Sequence, residues 1–392
     1  MAVTPTNTPA TQPATALPVR TTPVVKSVGV VASPGQERGF VARNRTLLWF
    51  VLLLVFADVA VGWFSPVWER HSPDSYTARV HGCAERRRDV VFVGGSPVTE
   101  GINPAIIAGA PWRGRPLSDA YAVGLSGGTT TDFYYATVKA CPVPPRVLVY
   151  GITASDLNDS RNEPHGVHSL LTRGDVIEIA RTRPDAREWV TRQYVHSKLN
   201  TASNTYRYRH GVRMWAATRA DHLFPDSCPS ATREAGELRE HAEDLARGTG
   251  YAPLKGYSRV RYDHTKARGE QPNPFGYLDR FRIGSHLKYL HKLADWCRDR
   301  GVELVLVDMP VTADLEAKYT VAFPEYRERV AEVERERGLT VIRATRDAVG
   351  LTDEDFADLI HLTPDGCKRL SLWLRWTLQQ VTCSVGPEGA VP

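Results

Sequence analysis

Hydrophobic and polar residues follow two different patterns along the chain. Residues 47–64 form one long apolar run, interrupted only by Asp58. From about residue 89 onward, short apolar segments alternate with longer amphipathic ones. Continuous apolar strands that alternate with helices are typical of a parallel sheet covered by helices on both faces. The pattern therefore predicts an α/β domain that follows a single hydrophobic segment.

The α/β domain is predicted to occupy residues 89–384. Thr363 is the expected N-cap of its last helix, because Pro364 suits a first helical turn. The stretch from about 155 to 282 breaks the alternation, is rich in Arg, His, Tyr and Asn, and predicts a largely helical insertion. Strands are predicted at 89–95, 118–125, 146–152, 302–311 and 340–344, and helices at 129–140, 286–300, 325–337 and 364–380.

The apolar run at 47–64 is long enough to cross a membrane. Its 18 residues are close to the ~20 residues that a spanning helix needs. Trp49, Trp63 and Phe64 lie near its ends, where interfacial aromatic residues are common. We therefore expect the bilayer to be a partner of this protein through residues 47–64.

Basic residues are concentrated before the run. The positive-inside rule then predicts a single-pass protein of the cell membrane, with a cytoplasmic N-terminus and an extracytoplasmic domain. We expect a disordered cytoplasmic tail at 1–45, a transmembrane anchor at 46–65 and a linker at 66–88. Lys26, Arg38, Arg43 and Arg45 precede the run, and only Arg70 and Arg79 follow closely.

Two features of the anchor have alternative interpretations. Ala60-Val61-Gly62 is a small-residue site at which a signal peptide could be cleaved, but the preceding segment is long for a signal peptide. Asp58 is costly to bury in lipid. It either contacts another membrane protein or lies near the outer interface and reaches water, and the second interpretation is favoured.

Composition excludes some classes of function. The net charge of +5 is modest and no nucleic-acid motif is present, so no nucleic-acid partner is predicted. No cysteine pair has C-x-x-C spacing, and we predict neither a metal site nor a cofactor. The cysteines can form up to three disulfides in an oxidising compartment, or serve as small buried apolar residues. They are Cys83, Cys141, Cys228, Cys297, Cys367 and Cys383.

Three groups of residues at predicted strand ends could carry chemistry, because open α/β sheets bind ligands there. Ser96 follows two glycines after the first strand, and a serine at such a turn becomes a nucleophile when a base removes its proton. Asp358 and His361 precede the last helix, and Asp358 could orient His361 as that base. The Gly-rich segment around Gly127 begins a helix, where backbone N–H groups can stabilise an oxyanion.

These blocks together resemble the SGNH (GDSL-like) hydrolase superfamily over about residues 89–380. The matching segments are VFVGGSPVTEGINP around Ser96, GLSGGT around Gly127 and DLIHLTPDG around His361. The first and last are most similar to the membrane-anchored branch that includes teichoic-acid D-alanylation proteins and alginate O-acetyltransferases. The resemblance implies a flavodoxin-like fold, with Ser96 as nucleophile, His361 as base and Asp358 as its orienting partner.

The chain departs from the family pattern at two places. Gly95 precedes the serine where the family has Asp or Ser. The third family block reads Gly-x-Asn-Asp and supplies an oxyanion donor, but here Thr153 stands at the Asn position. Asn158 and Asp159 follow out of register. The oxyanion hole predicted by the resemblance therefore consists of the backbone N–H groups of Ser96 and Gly127, with Thr153 as a third candidate.

The predicted function is extracytoplasmic acyl transfer or ester hydrolysis by a serine enzyme. The substrate would be an envelope polysaccharide or an acyl ester, and a polytopic membrane acyltransferase would be a partner. The alternative is a non-catalytic glycan-binding or scaffold module. Glu100, four residues beyond Ser96, could line the site, but a solvated helix position is favoured. Asp308, at the end of a predicted strand, either faces the cleft or makes a structural hydrogen bond. The basic and aromatic residues of the insertion could bind an anionic polymer, although a solvated, partly packed helix is favoured.

Overall fold

The computed structural model describes residues 44–71, 75–161, 169–224, 248–251 and 275–384. Almost all of the predicted tail at 1–45, and parts of the insertion, lie outside the described residues. The chain divides into two compact units, Met1–Val55 and Phe56–Pro392. The sheet and the described part of the insertion both belong to the second unit.

The centre of the second unit is a five-stranded parallel sheet with strand order β4-β1-β5-β6-β7. Val90 of β1, the second strand in this order, is in register with Ala120 on one side and with Val147 on the other. The prediction of an α/β domain with a parallel sheet is confirmed. The strands are β1 (Val90–Gly94), β4 (Ala120–Gly124), β5 (Val147–Ile152), β6 (Glu303–Asp308) and β7 (Thr340–Arg343), and β2 (Pro111–Trp112) pairs separately with β3 (Arg115–Pro116).

Helices surround the sheet and connect its strands. The helix predicted at 325–337 begins three residues earlier, and the other predicted helices start within one residue of the observed ones. The helices are α1 (Arg45–Trp63), α2 (Ser65–His71), α3 (Ser75–Ala84), α4 (Ser96–Gly101), α5 (Pro104–Ile107), α6 (Thr130–Ala140), α7 (Ala154–Leu157), α8 (Arg173–Thr182), α9 (Arg187–Ala202), α10 (Asn204–Leu223), α11 (Ser285–Asp299), α12 (Ala313–Lys318), α13 (Ala322–Arg337), α14 (Arg346–Val349) and α15 (Pro364–Ser384).

The hydrophobic core lies on both faces of the sheet. Alternate residues of a strand point to opposite faces. Val91 and Val93 of β1 accordingly pack into a cluster with α3, α6, α11 and α13, whereas Val90 and Phe92 pack into a second cluster with α4, α5 and α15. Burial on both faces explains why the strands read as continuous apolar runs.

The last helix, α15, illustrates how the sequence pattern becomes packing. Leu370, Leu374 and Leu378 are fully buried and recur every four residues, which places them on one face of the helix. Trp376, on another face, is 56% exposed. The predicted N-cap is confirmed, because the hydroxyl of Thr363 accepts a hydrogen bond from the N–H of Gly366 at 3.2 Å.

Helix α1 is long and apolar enough to cross a membrane. It has 19 residues, a mean hydropathy of 2.1 and no buried side chain in its most apolar window. Among the described residues it is the one helix that meets these criteria. By length and composition this is weak support for a membrane anchor, and it carries no information on orientation.

The stretch predicted as a linker, 66–88, contains helices. Helix α3 supplies Val80 and Cys83 to the core cluster of α6 and α11. Arg79 of the same helix is 1% exposed and donates a hydrogen bond from Nη1 to the carbonyl oxygen of Gly124 at 3.1 Å. The end of this stretch is therefore part of the α/β domain.

The described part of the insertion is helical, as predicted, and contains α8, α9 and α10. Its most unexpected contact is with Asp58 of α1, which accepts hydrogen bonds from Ser203 Oγ and from the backbone N–H groups of Asn204 and Thr205. Asp58 therefore has its partner in the same chain, which neither interpretation of the sequence foresaw.

Four cysteines are buried and free: Cys83, Cys141, Cys297 and Cys367. For these four, the interpretation as small buried apolar residues is the one that the structure supports. The side chains of Cys228 and Cys383 lie outside the described part of the chain.

Candidate active site

Ser96 follows the carboxyl end of β1, the second strand of the sheet, at the point where the strand order reverses. Two glycines make the turn possible. Gly94 has φ of +158°, and a Cβ there would lie 2.4 Å from Val98 Cγ2 and 2.5 Å from the carbonyl oxygen of Gly151. Gly95 is the N-cap of α4, so Ser96 becomes its first residue. The reversal point is where open α/β sheets bind their ligands.

His361 lies in a short loop between a 3₁₀ helix, Asp353–Asp355, and α15. A bridge between Phe356 and Leu362 closes the base of this loop. The N–H of Thr312, which follows β6, donates to the carbonyl oxygen of Leu359 at 3.1 Å. These two contacts hold the loop at the same edge of the sheet as Ser96.

Ser96, His361 and Asp358 form a continuous chain of hydrogen bonds. Ser96 Oγ lies 2.7 Å from His361 Nε2, and His361 Nδ1 lies 2.6 Å from Asp358 Oδ2. Asp358 Oδ1 accepts from the N–H groups of Ile360 and His361 at 2.9 and 2.8 Å. An ionised carboxylate can only accept hydrogen bonds. His361 therefore carries its proton on Nδ1, and Nε2 accepts from the serine hydroxyl.

The pKa values of Asp358 and His361 favour an ionised carboxylate next to a protonated imidazole. Partial burial alone would raise the pKa of Asp358, but hydrogen bonds from His361 and from the backbone outweigh burial and lower it. Burial alone would lower the pKa of His361, but the hydrogen bond and the charge of Asp358, with a smaller contribution from Glu100, raise it. The imidazole is thus a stronger base than an isolated histidine, as removal of a serine proton requires.

Glu100 is the acidic residue of the site that the sequence interpretation placed in solvent. Its side chain is only 17% exposed, and Oε2 lies 3.7 Å from His361 Nε2. Oε2 is buried without a hydrogen-bond partner among the described residues. Because α4 begins at Ser96, Glu100 is one turn further along the same face of this helix.

The carboxyl group of Glu100 titrates in the neutral range. Its pKa is raised to about 7, because the effect of burial, together with the negative charge of Asp358, outweighs the opposing positive charges of His361 and Arg79. Near neutral pH the imidazole therefore has two acidic neighbours, Asp358 at Nδ1 and Glu100 beside Nε2.

The Gly-rich loop after β4 is held by a hydrogen bond next to the turn that carries Ser96. The N–H of Leu125 donates to the carbonyl oxygen of Gly94 at 2.8 Å. Gly127 adopts φ of +74°, which favours glycine. Arg161 donates from Nη2 to the carbonyl oxygen of Gly127 at 2.6 Å and from Nη1 to that of Gly128 at 3.3 Å. Arg161 thereby fixes the peptide planes of this loop, a role that no sequence pattern indicated. Gly127 as oxyanion donor stays a prediction.

Thr153, the third oxyanion candidate, caps α7. Its backbone N–H donates to Asp156 Oδ2 at 2.8 Å, and its side chain also contacts Asp156 within a capping box. Burial raises the pKa of Asp156 to about 7. The backbone N–H and the side chain of Thr153 are thus engaged with α7, and its role in an oxyanion hole also stays a prediction.

Asn158 and Asp159, the out-of-register pair, form hydrogen bonds with the segment that ends the insertion and begins α11. Asn158 is fully buried and donates from Nδ2 to the carbonyl oxygen of Tyr277 at 3.0 Å. Asp159 accepts from the N–H groups of Ser285 and His286 at 2.6 and 3.0 Å, and so caps α11. Both side chains are therefore occupied in structural contacts away from Ser96 Oγ.

Asp308, at the end of β6, makes structural contacts, which is one of the two roles that the sequence left open for it. It is 8% exposed and accepts a hydrogen bond from Tyr326 Oη at 2.9 Å. Arg327 Nε lies 3.5 Å from its other oxygen. Both carboxylate oxygens thus have partners on α13.

Comparison with protein-family models and with curated proteins identifies no relative. No protein-family model matches the chain, and no curated protein matches it. The chemistry of the site therefore depends on the geometry of Ser96, His361 and Asp358 and on their position at the strand ends.

Proposed function

We propose that this protein is a serine-dependent esterase or O-acyltransferase with an SGNH-like fold. The observation that carries the proposal is the hydrogen-bond chain from Ser96 Oγ through His361 to Asp358. A nucleophile, a base in contact with it and a third group that orients the base are the elements of nucleophilic acyl transfer.

In the proposed reaction, Ser96 Oγ attacks the carbonyl carbon of an acyl ester and gives its proton to His361 Nε2. Asp358 stabilises the imidazolium, and the backbone N–H groups of Ser96 and Gly127 stabilise the oxyanion. The intermediate collapses, the C–O bond to the leaving group breaks, and His361 protonates the departing oxygen. An acceptor hydroxyl or water then gives its proton to His361 and attacks the acyl-serine. The bond between the acyl carbon and Ser96 Oγ breaks, and His361 returns the proton to Ser96 Oγ.

The sheet supports the SGNH-like assignment. Counted along the chain, its five strands have the order 2-1-3-4-5, which is the order of flavodoxin-like folds. Ser96 and Thr153 follow the two strands between which that order reverses. A fold alone does not define an activity, so the proposal depends on the three side chains.

The proposed location is the outer face of the cell membrane, with α1 as the anchor. The basic residues that precede α1 support a cytoplasmic N-terminus. A reporter fused after residue 75 should then be active only outside the cytoplasm. Activity only inside would overturn this topology.

The anchor favours acyl transfer to an envelope polysaccharide, next to a polytopic membrane acyltransferase that supplies the acyl group. Hydrolysis of an acyl ester uses the same steps with water as acceptor. Incubation of the full chain with acetylated glycans, with and without an added acceptor, distinguishes the two. Transfer predicts an acylated acceptor, and hydrolysis predicts free acid only.

The proposal is tested by labelling with a fluorophosphonate probe, which reacts with activated serines. We expect the native chain to be labelled and Ser96→Ala to be unlabelled. Ser155→Ala is the matched control, because the Ser155 hydroxyl lies in the same region but contacts Tyr277 Oη at 3.0 Å. Labelling that persists in Ser96→Ala would contradict the proposal.

A second candidate is a non-catalytic glycan-binding or scaffold module. The observation in its favour is that Thr153, at the position of the family's oxyanion Asn, has its backbone N–H and its side chain engaged with Asp156. This candidate predicts that glycan binding is retained in Ser96→Ala and that the native chain resists the probe. The short contact between Ser96 and His361 argues against it.

A further inference from the structure

Asp58 joins α1 to the beginning of α10. Asp58 Oδ1 accepts hydrogen bonds from Ser203 Oγ at 2.6 Å and from the N–H of Thr205 at 2.8 Å, and Oδ2 accepts from the N–H of Asn204 at 3.1 Å. The first N–H groups of a helix lack partners within the helix, and their positive potential favours a carboxylate. Asp58 therefore acts as the cap of a helix that is distant in sequence.

Close packing extends this contact along both elements. A Cβ at Gly62 would lie 2.6 Å from Asn204 Nδ2, and one at Gly211 would lie 2.4 Å from the carbonyl oxygen of Trp68. The rings of Trp68 and Trp215 meet edge to face with centroids 5.5 Å apart. The beginning of α10 thus lies against the end of α1, and its later turns lie against α2.

The depth of this contact follows from helix geometry. Asp58 precedes Trp63, the last residue of α1, by five residues, and at a rise of ~1.5 Å per residue this places it about 7.5 Å before the end of the helix. If α1 spans the bilayer, as the proposed anchoring requires, Asp58 lies inside the outer edge of the membrane. Ser203, which contacts it directly, must lie at the same depth.

We propose that the turn between α9 and α10 is a second membrane contact, which binds the anionic headgroups of the outer lipid leaflet. The tip is defined as residues 194–209, the end of α9 and the beginning of α10. This inference rests on the proposed anchoring by α1 and is independent of the chemistry at Ser96.

The surface of the tip suits a lipid interface. Val195 is 50% exposed and Leu199 is 46% exposed on the last turns of α9. Exposed basic residues surround them, and the chain contains no Asp or Glu from residue 189 to residue 220. Apolar side chains with Lys and Arg beside them are the pattern of interfacial helices on anionic lipids. The exposed basic residues of the tip are Lys198, Arg207 and Arg209.

Aromatic residues of the tip are paired with these cations. Lys198 Nζ lies 4.9 Å from the ring centre of Tyr194, and the Arg209 guanidinium lies 4.0 Å from that of Tyr206. Tyrosine is enriched at the membrane–water interface because its ring is apolar and its hydroxyl is polar. A soluble anionic polymer would explain the cations but would leave Val195 and Leu199 exposed to water.

The test places a fluorophore at the tip of the full-length chain in vesicles of phosphatidylcholine and phosphatidylglycerol. Leu199→Cys is labelled with an NBD dye, and a doxyl-labelled phosphatidylcholine serves as quencher. Leu52→Cys, within α1, is the membrane control, and Val321→Cys, 72% exposed at the start of α13, is the solvent control. Cys228 and Cys383 are replaced by serine, because the other four cysteines are buried.

We expect lipid quenching and blue-shifted emission at positions 52 and 199, and neither at 321. Quenching at 52 without quenching at 199 overturns the tip contact, leaves the anchor intact and favours an anionic polymer as partner of the basic residues. Absence of quenching at 52 overturns the proposed anchor, and the tip contact with it.

Headgroup charge is tested separately in the same preparation. Replacement of Lys198, Arg207 and Arg209 by Gln should reduce quenching at position 199 in anionic vesicles, and vesicles of phosphatidylcholine alone should reduce it to the same extent. Equal quenching of the native tip in both kinds of vesicle would overturn the assignment to anionic lipid.

Discussion

Two aspartates of this molecule accept the same kinds of hydrogen bond but serve different purposes. Asp358 accepts from two backbone N–H groups and from the ring of His361, all within three residues along the chain. Asp58 accepts from two backbone N–H groups and from Ser203 Oγ, which is 145 residues away. The first carboxylate contacts the ring of the proposed base, and the second links two helices. The two backbone donors that both aspartates share therefore do not define a role. The side-chain donor, an imidazole in one case and a hydroxyl in the other, distinguishes them.

The largest expected effect is the loss of the base that Asp358 orients. In His361→Ala we expect kcat for ester hydrolysis to fall by about 10⁶-fold, the size of effect seen when a serine hydrolase loses its base. His196→Ala is the control, because His196 lies at the tip and contacts Tyr206 Oη. A steady-state assay with a soluble ester measures both variants. A His361→Ala protein that retains native kcat would show that Ser96 is not activated by this histidine.

Asp358→Asn tests the orienting role directly. The variant preserves the size of the side chain, but the amide can donate to Nδ1 and so favours the wrong tautomer of His361. We expect kcat to fall by about 10⁴-fold. Asp58→Asn, assayed in parallel in detergent, should leave kcat unchanged. Equal losses in the two variants would mean that both aspartates act only through stability.

Much of the fold follows from local pattern. The strand predicted at 146–152 is observed as β5, Val147–Ile152, because strands buried on both faces must be apolar at every position. Helix α3 was missed because SYTARVHGCA carries Arg79 and His81 within a segment of low apolar content. The buried guanidinium of Arg79 has its hydrogen-bond acceptor in Gly124, which is distant in sequence.

The features of the site also fall into two groups, those that local sequence predicts and those that depend on contacts between distant segments. The contact of His361 with Asp358 could be predicted, because three residues of spacing let one loop present both groups. The position of Ser96 followed from its place after a strand. The burial of Glu100 could not be predicted from spacing alone, because it depends on how the distant loop of His361 covers α4. The partner of Asp58 was likewise invisible, because the sequence between α1 and α10 contains no signal that pairs them.

Asp58→Ala should weaken the link between α1 and α10 without an effect on the chemistry. Loss of a helix cap costs about 1 kcal/mol, or about a five-fold change in a local opening equilibrium. We therefore expect the amides of Asn204 and Thr205 to exchange about five-fold faster with deuterium. Glu188→Gln is the control, because Glu188 is exposed on α9 and pairs only with Arg192 among the described residues. Unchanged exchange in Asp58→Ala would show that other contacts hold the start of α10.

Glu100→Gln is expected to have the smallest effect, and one with a defined sign. Ionised Glu100 stabilises the imidazolium and so contributes to the raised pKa of His361. Catalysis needs neutral His361, so activity is lost as pH falls through that pKa. Glutamine removes the negative charge, the pKa of His361 falls, and the acidic limb of the kcat/KM profile moves to lower pH.

The profile of Glu100→Gln should also be steeper on its acidic side. In the native protein Glu100 itself titrates, because burial raises its pKa to about 7, and its ionisation overlaps that of His361. Glu354→Gln is the matched control, because Glu354 is exposed in the 3₁₀ helix before the His361 loop and should leave the profile unchanged. If the acidic limbs of native protein and Glu100→Gln coincide, Glu100 is uncharged whenever His361 is protonated. Asp358 would then be the only carboxylate that tunes the base.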